Sequence, residues 1–398
     1  MWDSFIALSL GIGFVLFART IVVRRKRNPR GLPLPPGPKG LPLLGNVFQL
    51  PQAKPWEGYQ KLCEEYGDMI YLTALGSGIL VIGSHRRAVD LLDKRSANYS
   101  DRPASPIFEM TGLGWSLALM RYGTRWRQHS RAFHKYFTPT AVQQYHPIMY
   151  EETKAYLRKV NSHPNDIFED TQFLPEESDP NYTALETVAR NVSGGAFIAG
   201  AETTGNSGVA LLYVLASYPE VQAKAQAEID AVVGSNRLPL ITDRENLPYV
   251  HALVKEVSRW YTVLPTGVPH CNSEDDEYDG YFIPKGTVIL QNNWAMMHDP
   301  DVFEKPFEFI PERYIKDGKI DFSVSDASRA AFGHGRRNDA LFLLAASLLA
   351  THTLVAPKDE KGNIAPMKLS ESENQVVSKP LPFKCEVTLR PGRKHLLE

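Results

Sequence analysis

From Phe5 to Val23 the chain is almost unbroken apolar sequence, close to the ~20 residues that a bilayer core requires. Its one charge, Arg19, stands about a turn from the end, where a long side chain can snorkel to the interface. Arg24, Arg25, Lys26 and Arg27 follow at once, whereas the short leader carries Asp3 and no base. This order predicts an uncleaved signal anchor with the body on the cytoplasmic side. A cleaved signal peptide would want the bases first and a small-residue cleavage site afterwards. The stretch from Pro33 to Gly40, PLPPGPKG, then predicts a semi-rigid extended spacer, with a proline-rich ligand motif as the competing reading.

Past the spacer, apolar spacing predicts a short amphipathic helix from Trp56 to Tyr66 and a hairpin of Met69 to Ala74 with Ile79 to Ile82. A helix capped by Ser84 runs on to Lys94. Another starts near Tyr122, and its basic face around Trp126 is either solvated surface or a cover for something anionic. Asn161 to Asn181 is polar and acidic, with little periodicity. It gives way to the longest helical pattern, Tyr182 to Ser217, closed by Pro219. That helix contains Gly194, Gly195, Gly200, Gly205 and Gly208, each costing roughly 0.5–1 kcal/mol relative to alanine. In its middle lies Ala199-Gly200-Ala201-Glu202-Thr203-Thr204. Two readings stand: a buried carboxylate and hydroxyl placed for proton delivery, or a glycine packing seam with threonines bonded back to the helix.

Helices from Pro219 to about Gly234 and from Tyr249 to Tyr261 follow, the second with Glu256 and Arg259 on one face. Short strands are predicted around Tyr278 to Phe282 and Thr287 to Gln291, and again at Val387 to Leu389. Phe332-Gly333-His334-Gly335-Arg336-Arg337 reads as a tight cationic loop. The apolar run behind it, Ala340 to His352, reads as a buried helix. Composition alters little: 398 residues, 43% hydrophobic, net charge −1, which excludes wholesale nucleic-acid binding. Three scattered cysteines, Cys63, Cys271 and Cys385, indicate neither a disulfide framework nor a zinc site.

These segments, in this order, resemble a microsomal (class II) cytochrome P450, with wording closest to fungal enzymes of specialised metabolism or xenobiotic oxidation. The resemblance implies a mainly α fold with small β sheets, the P450 fold in incomplete form behind an N-terminal transmembrane helix. Its parts would be an anchor at 1–23, a basic and proline-rich hinge at 24–50 and a truncated P450 domain at 51–398. It further implies a haem cofactor and insertion of one oxygen atom from O2 into a small apolar organic substrate. Electrons would come from NADPH-cytochrome P450 reductase at the endoplasmic reticulum membrane, with the body in the cytoplasm and membrane lipid around the anchor.

Residue by residue, the resemblance makes Glu202 and Thr203 the proton-delivery pair and Gly200 the point of close haem approach. Trp126, Arg131, His270, Phe332, Gly335 and Arg337 become haem contacts, and Glu256, Arg259 and Arg313 a buried scaffold. Phe108 to Trp115 and Val263 to Val268 would line the substrate pocket. The sequence departs from the family pattern at three places. Asp339 and the neighbouring Asn338 occupy the stretch where the axial cysteine belongs, so no metal ligand is assigned. A carboxylate is a poor substitute for thiolate on haem iron, and the intact helix behind it favours a short deletion over a substitution. Trp126 and Glu202 are too close in sequence for the helices the family places between them. Ser130 stands where the family carries a propionate-binding arginine. The alternative function is therefore a catalytically dead membrane-anchored remnant, or a mis-spliced gene model.

Overall fold

Strand alternation and turn chemistry build the sheets of this protein, while helices apolar on every side build its core. The computed structural model describes residues 22–23, 25–136, 138, 140–162, 184–325, 339–358, 364–365, 367–372 and 376–398, with backbone alone for 136 and 184–198. The predicted anchor, apart from Val22 and Val23, and the loop Phe332 to Arg337 lie outside the described residues. Among the described residues no helix is long and apolar enough to cross a membrane. The chain divides into two compact units.

One unit takes in the described residues up to Leu50, Lys61–Pro103 and Pro269–Leu290. Its sheet has the order β1-β2-β6-β3, formed by β1 (Met69–Ala74), β2 (Ser77–Ile82), β3 (His270–Cys271) and β6 (Val288–Gln291). Strands β1 and β2 form the predicted hairpin, in register from Met69 opposite Ile82 to Ala74 opposite Ser77. Ile70, Leu72, Leu80, Val81 and Ile82 are fully buried. The proline-rich spacer is bonded to this unit: prolines cannot donate, but the Pro36 carbonyl accepts from Tyr71 N–H and the Pro33 carbonyl from Phe282 N–H, both at 2.8 Å.

Two sequence expectations need correction in this unit. Tyr278 to Phe282 is not one strand but the inner ends of a hairpin, β4 (Asp276–Tyr278) and β5 (Tyr281–Ile283). Asp279 and Gly280 turn it with φ of 52° and 80°, the left-handed pair that Asp-Gly favours. The helix capped by Ser84 changes character at Val89, from one α turn into a π turn over Val89–Lys94.

The other unit comprises Pro51–Gln60 with the described parts of Ala104–Val268 and Gln291–Glu398. Its helices include α2 (Thr124–Tyr136), α3 (His146–Ser162), α4 (Ala184–Ser217), α5 (Pro219–Val232), α6 (Pro248–Trp260) and α7 (Asp339–Thr351). α7 is apolar all round, and Leu348, Leu349 and the residues about them are buried, as such a helix requires. Helices α3, α4, α5 and α6 all pack against it. The C-terminal third of α4, Val209 to Ala216, is buried in the same core. Helix α3 is absent from the sequence reading; its buried side is Tyr156, Leu157 and Val160. Before α7, β7 (Ile315–Lys316) pairs antiparallel with β8 (Lys319–Ile320), and after it β9 (His352–Val355) pairs antiparallel with β10 (Glu386–Leu389). The Gln222 side chain bridges both backbone groups of Leu354, at 2.9 and 2.8 Å, tying α5 to β9.

Two buried histidines in this unit make stability depend on pH. Desolvation holds His298 and His352 at a pKa of about 4. Unfolded, each returns to about 6.5, so the unfolded chain binds more protons between these values and stability falls as pH drops through that window. His298 stacks on Trp294 at 4.6 Å and on Phe307 at 5.2 Å, a position phenylalanine can occupy. His298→Phe is therefore expected to reduce the loss of urea resistance between pH 7 and pH 4.5. An unchanged pH dependence would show that His298 contributes nothing to it.

Candidate functional site

Glu256 and Arg259 lie three residues apart on α6, both fully buried. Arg259 grips the Glu256 carboxylate with two parallel bonds, Nε to Oε2 at 2.7 Å and Nη2 to Oε1 at 2.8 Å. Its Nη1 donates to the carbonyls of Met297 and Pro306, at 2.8 and 2.7 Å. Arg313 completes the cluster from another segment, with Nε 3.2 Å from Glu256 Oε1, while the Ile310 N–H also donates to that oxygen at 2.9 Å. The sequence puts Glu256 and Arg259 on one helix face, and the family resemblance implies Arg313. These three backbone partners carry no sequence signal, because a backbone group looks alike under every residue type. A fully bonded buried ion cluster of this kind is a scaffold rather than a reactive group.

The segment read as a proton-delivery pair looks different. Glu202 is exposed, so the expectation of a buried carboxylate is corrected. Thr203 is buried, and its hydroxyl donates back to the Ala199 carbonyl at 2.6 Å, with Ser207 repeating the pattern onto Thr203 at 2.8 Å. Back-bonding of this sort is the packing alternative considered above. Gly200 is exposed and a Cβ there would meet nothing within 4 Å, whereas one at Gly208 would lie 3.2 Å from Leu344 on α7. Of these two glycines, Gly208 is the one under steric demand, and the demand is helix packing.

The remaining candidates are dispersed. Trp126 is half-buried on α2 and leans on Tyr122 at 5.3 Å. Arg131 is exposed, its Nε donating to the Arg127 carbonyl at 3.2 Å. His270 belongs to the sheet unit, where its Nδ1 lies 3.1 Å from the Tyr99 carbonyl. Phe332, Gly335 and Arg337 lie outside the described residues. Of the predicted pocket walls, Met110 and Leu113 are exposed and Val263 is buried.

At the start of α7, Asp339 pairs with Arg244 at 2.7 Å and faces His146 at 3.9 Å. Arg244 also lies over the Phe342 ring at 4.5 Å. A carboxylate in the first turn suits the positive end of the helix, so Asp339 is explained as a helix-start residue with an ion-pair partner.

Mainly helical content with small sheets, a buried Glu-x-x-Arg cluster closed by a distant arginine, and an apolar helix following the Gly335-Arg336-Arg337 sequence are the features that the resemblance implies. The chain belongs to the cytochrome P450 family, whose pattern it matches over residues 35–176 and 144–338. It is 42% identical to the cytochrome P450 monooxygenase COX1 of Coprinopsis cinerea, covering 97% of this chain and 96% of that protein. It is 33% identical to COX2 of the same fungus and 30% identical to the cytochrome P450 monooxygenase 208 of Postia placenta, over 97% and 99% of this chain. By family it is a cytochrome P450 monooxygenase, and the family's cofactor is haem. The COX1 alignment runs over 502 positions, against 398 residues here, so at least 104 of those positions (502 − 398) have no counterpart in this chain.

The residues present do not fit a thiolate-ligated haem. Such a haem needs a deprotonated cysteine in the loop before α7, and no cysteine lies between Phe332 and Thr351. Desolvation pushes the Cys63 thiol up to about 12 and the Cys385 thiol up to about 11, so both stay protonated near neutrality. Cys271 is buried on β3, its Sγ 3.6 Å from the Asn272 carbonyl.

Proposed function

We propose that this chain is a membrane-anchored cytochrome P450 relative that, as written in this sequence, carries the family scaffold without its oxygen-activating centre. The observation that carries the reading is the absence of cysteine between the loop glycines and α7, where the family match itself ends at residue 338. An anchor at 1–23, a hinge at 24–50 and a truncated P450 domain at 51–398 complete the assignment, with the endoplasmic reticulum membrane as its site. Glu256, Arg259 and Arg313 would be the retained scaffold. The proton-delivery and haem-contact roles of Glu202, Thr203, Gly200, Trp126, Arg131, His270, Phe332, Gly335 and Arg337 belong to a chain that regains the missing segments. Such a chain would take electrons from NADPH-cytochrome P450 reductase and oxidise a small apolar organic substrate of specialised or xenobiotic metabolism.

Intact flanks on both sides of Arg337–Asn338 favour loss of a whole segment over drift of single residues. Sequencing the transcript across that junction separates the two origins: a continuous reading frame as written here supports a true remnant, and a longer one supports a splicing error. For the polypeptide itself, expression with a haem precursor followed by purification is expected to yield substoichiometric haem. Stoichiometric haem on the purified chain would overturn the proposal.

A further inference from the structure

Away from the haem loop and the ion cluster, the helical unit holds a half-open cavity of about 370 Å³. Four separate segments wall it: Tyr150 to Lys154 on α3, Asn236 to Leu240 after α5, Leu343 and Ser347 on α7, and His395 with Leu396 near the C-terminus. Its body is apolar, from Leu238, Leu240, Leu343 and Leu396.

Its polar groups are unbalanced. Ser347 is only 1% exposed and its Oγ has no hydrogen-bond partner, a costly state for a buried hydroxyl. Tyr150 accepts from the Ile241 N–H at 3.1 Å, which leaves its own O–H to donate. Lys154 forms no ion pair among the described residues. Arg237 is already spent, held by Asp243 through bonds of 2.6 and 2.8 Å. Asp243 is correspondingly held below the usual carboxylate range by that guanidinium. His395 turns its Nε2 to the Ser235 carbonyl at 2.9 Å. The Ser347 Oγ has no surface of its own in the cavity, which therefore offers an ammonium and one hydroxyl donor, and no carboxylate of its own faces them free of a partner.

We infer that this cavity binds a small amphipathic anion, a monocarboxylate with an apolar body. The carboxylate would take the Lys154 ammonium with the Tyr150 hydroxyl, and the apolar body would lie on the leucines. Donors in surplus call for an acceptor, and a charged acceptor makes the strongest bonds with them. The size lies in the range of small-molecule sites. The inference is independent of the haem question, because none of these residues belongs to the haem loop or to the scaffold cluster.

The probe is 4-phenylbutyrate, titrated calorimetrically into the purified full chain, with 4-phenylbutanol as its uncharged counterpart. Saturable one-to-one binding of the acid, with the alcohol much weaker, is expected. Lys154→Gln should weaken binding by about five- to tenfold and Lys154→Arg should largely retain it, as for a charge-assisted contact. Tyr150→Phe should weaken it by about two- to fivefold, as for one hydrogen bond. The inference is overturned if the acid does not saturate, if the alcohol binds as well as the acid, or if Lys154→Gln leaves affinity unchanged. Lys154 is half-buried on α3, so its variants keep the test readable even if the Tyr150 variant folds poorly.

Discussion

Replacing Glu256 with alanine is expected to destabilise the helical unit by about 3–5 kcal/mol, because it strands two guanidinium groups that the same carboxylate now neutralises. Arg259 is fully buried and has no route to water, so its charge would stay in the core unpaired. Arg313 would keep its 2.7 Å bond to the Glu304 carbonyl and loses less, which makes Arg313→Ala the milder change. The same carboxylate also holds the Ile310 N–H, so the segment leading into Arg313 would loosen with it. Urea unfolding followed by far-ultraviolet circular dichroism checks this. Equal effects for Glu256→Ala and Arg313→Ala would contradict the assignment of Glu256 as the shared centre. The cluster needs no haem to form, which is why a chain lacking the thiolate can retain this part of the family fold.

Asp339→Cys is expected to leave the protein without a thiolate-haem species, although it returns a cysteine to the neighbourhood of the missing one. Asp339 is already in the first turn of α7, with its side chain directed to Arg244 and His146. A thiolate would instead have to come from the segment before α7, where the family carries its cysteine, and Asp339 is already inside the helix. The substitution also removes the Arg244 ion pair, worth at most about 1 kcal/mol at a partly exposed position. Grafting the corresponding loop and mid-chain segments from the 42%-identical fungal relative should, by contrast, restore haem uptake. A haem-thiolate band from Asp339→Cys alone would show that geometry is not the obstacle.

Much of the helical framework was legible because its signals are local. Helices α4, α6 and α7 carry long apolar runs bounded by proline or a loop, and each appears within a few residues of its predicted range. The ion cluster was half legible: Glu256 and Arg259 share a helix face, but only the fold brings Arg313 and the carbonyls of Met297 and Pro306 to them. The exposure of Glu202 was not legible, because it depends on which neighbours cover a helix, and periodicity does not report that. The hairpin at Asp279-Gly280 was present as a turn signal and passed over inside a hydrophobic run. The cavity was not legible at all. Its walls come from four distant segments, and a lysine without an ion pair has no sequence signature.

The reduced carbon-monoxide difference spectrum tests the central claim most directly, recorded on the chain as written beside the version with the grafted segments. The account predicts no thiolate-haem band from the first and a clear band from the second. A clear thiolate-haem band from the chain as written would contradict it.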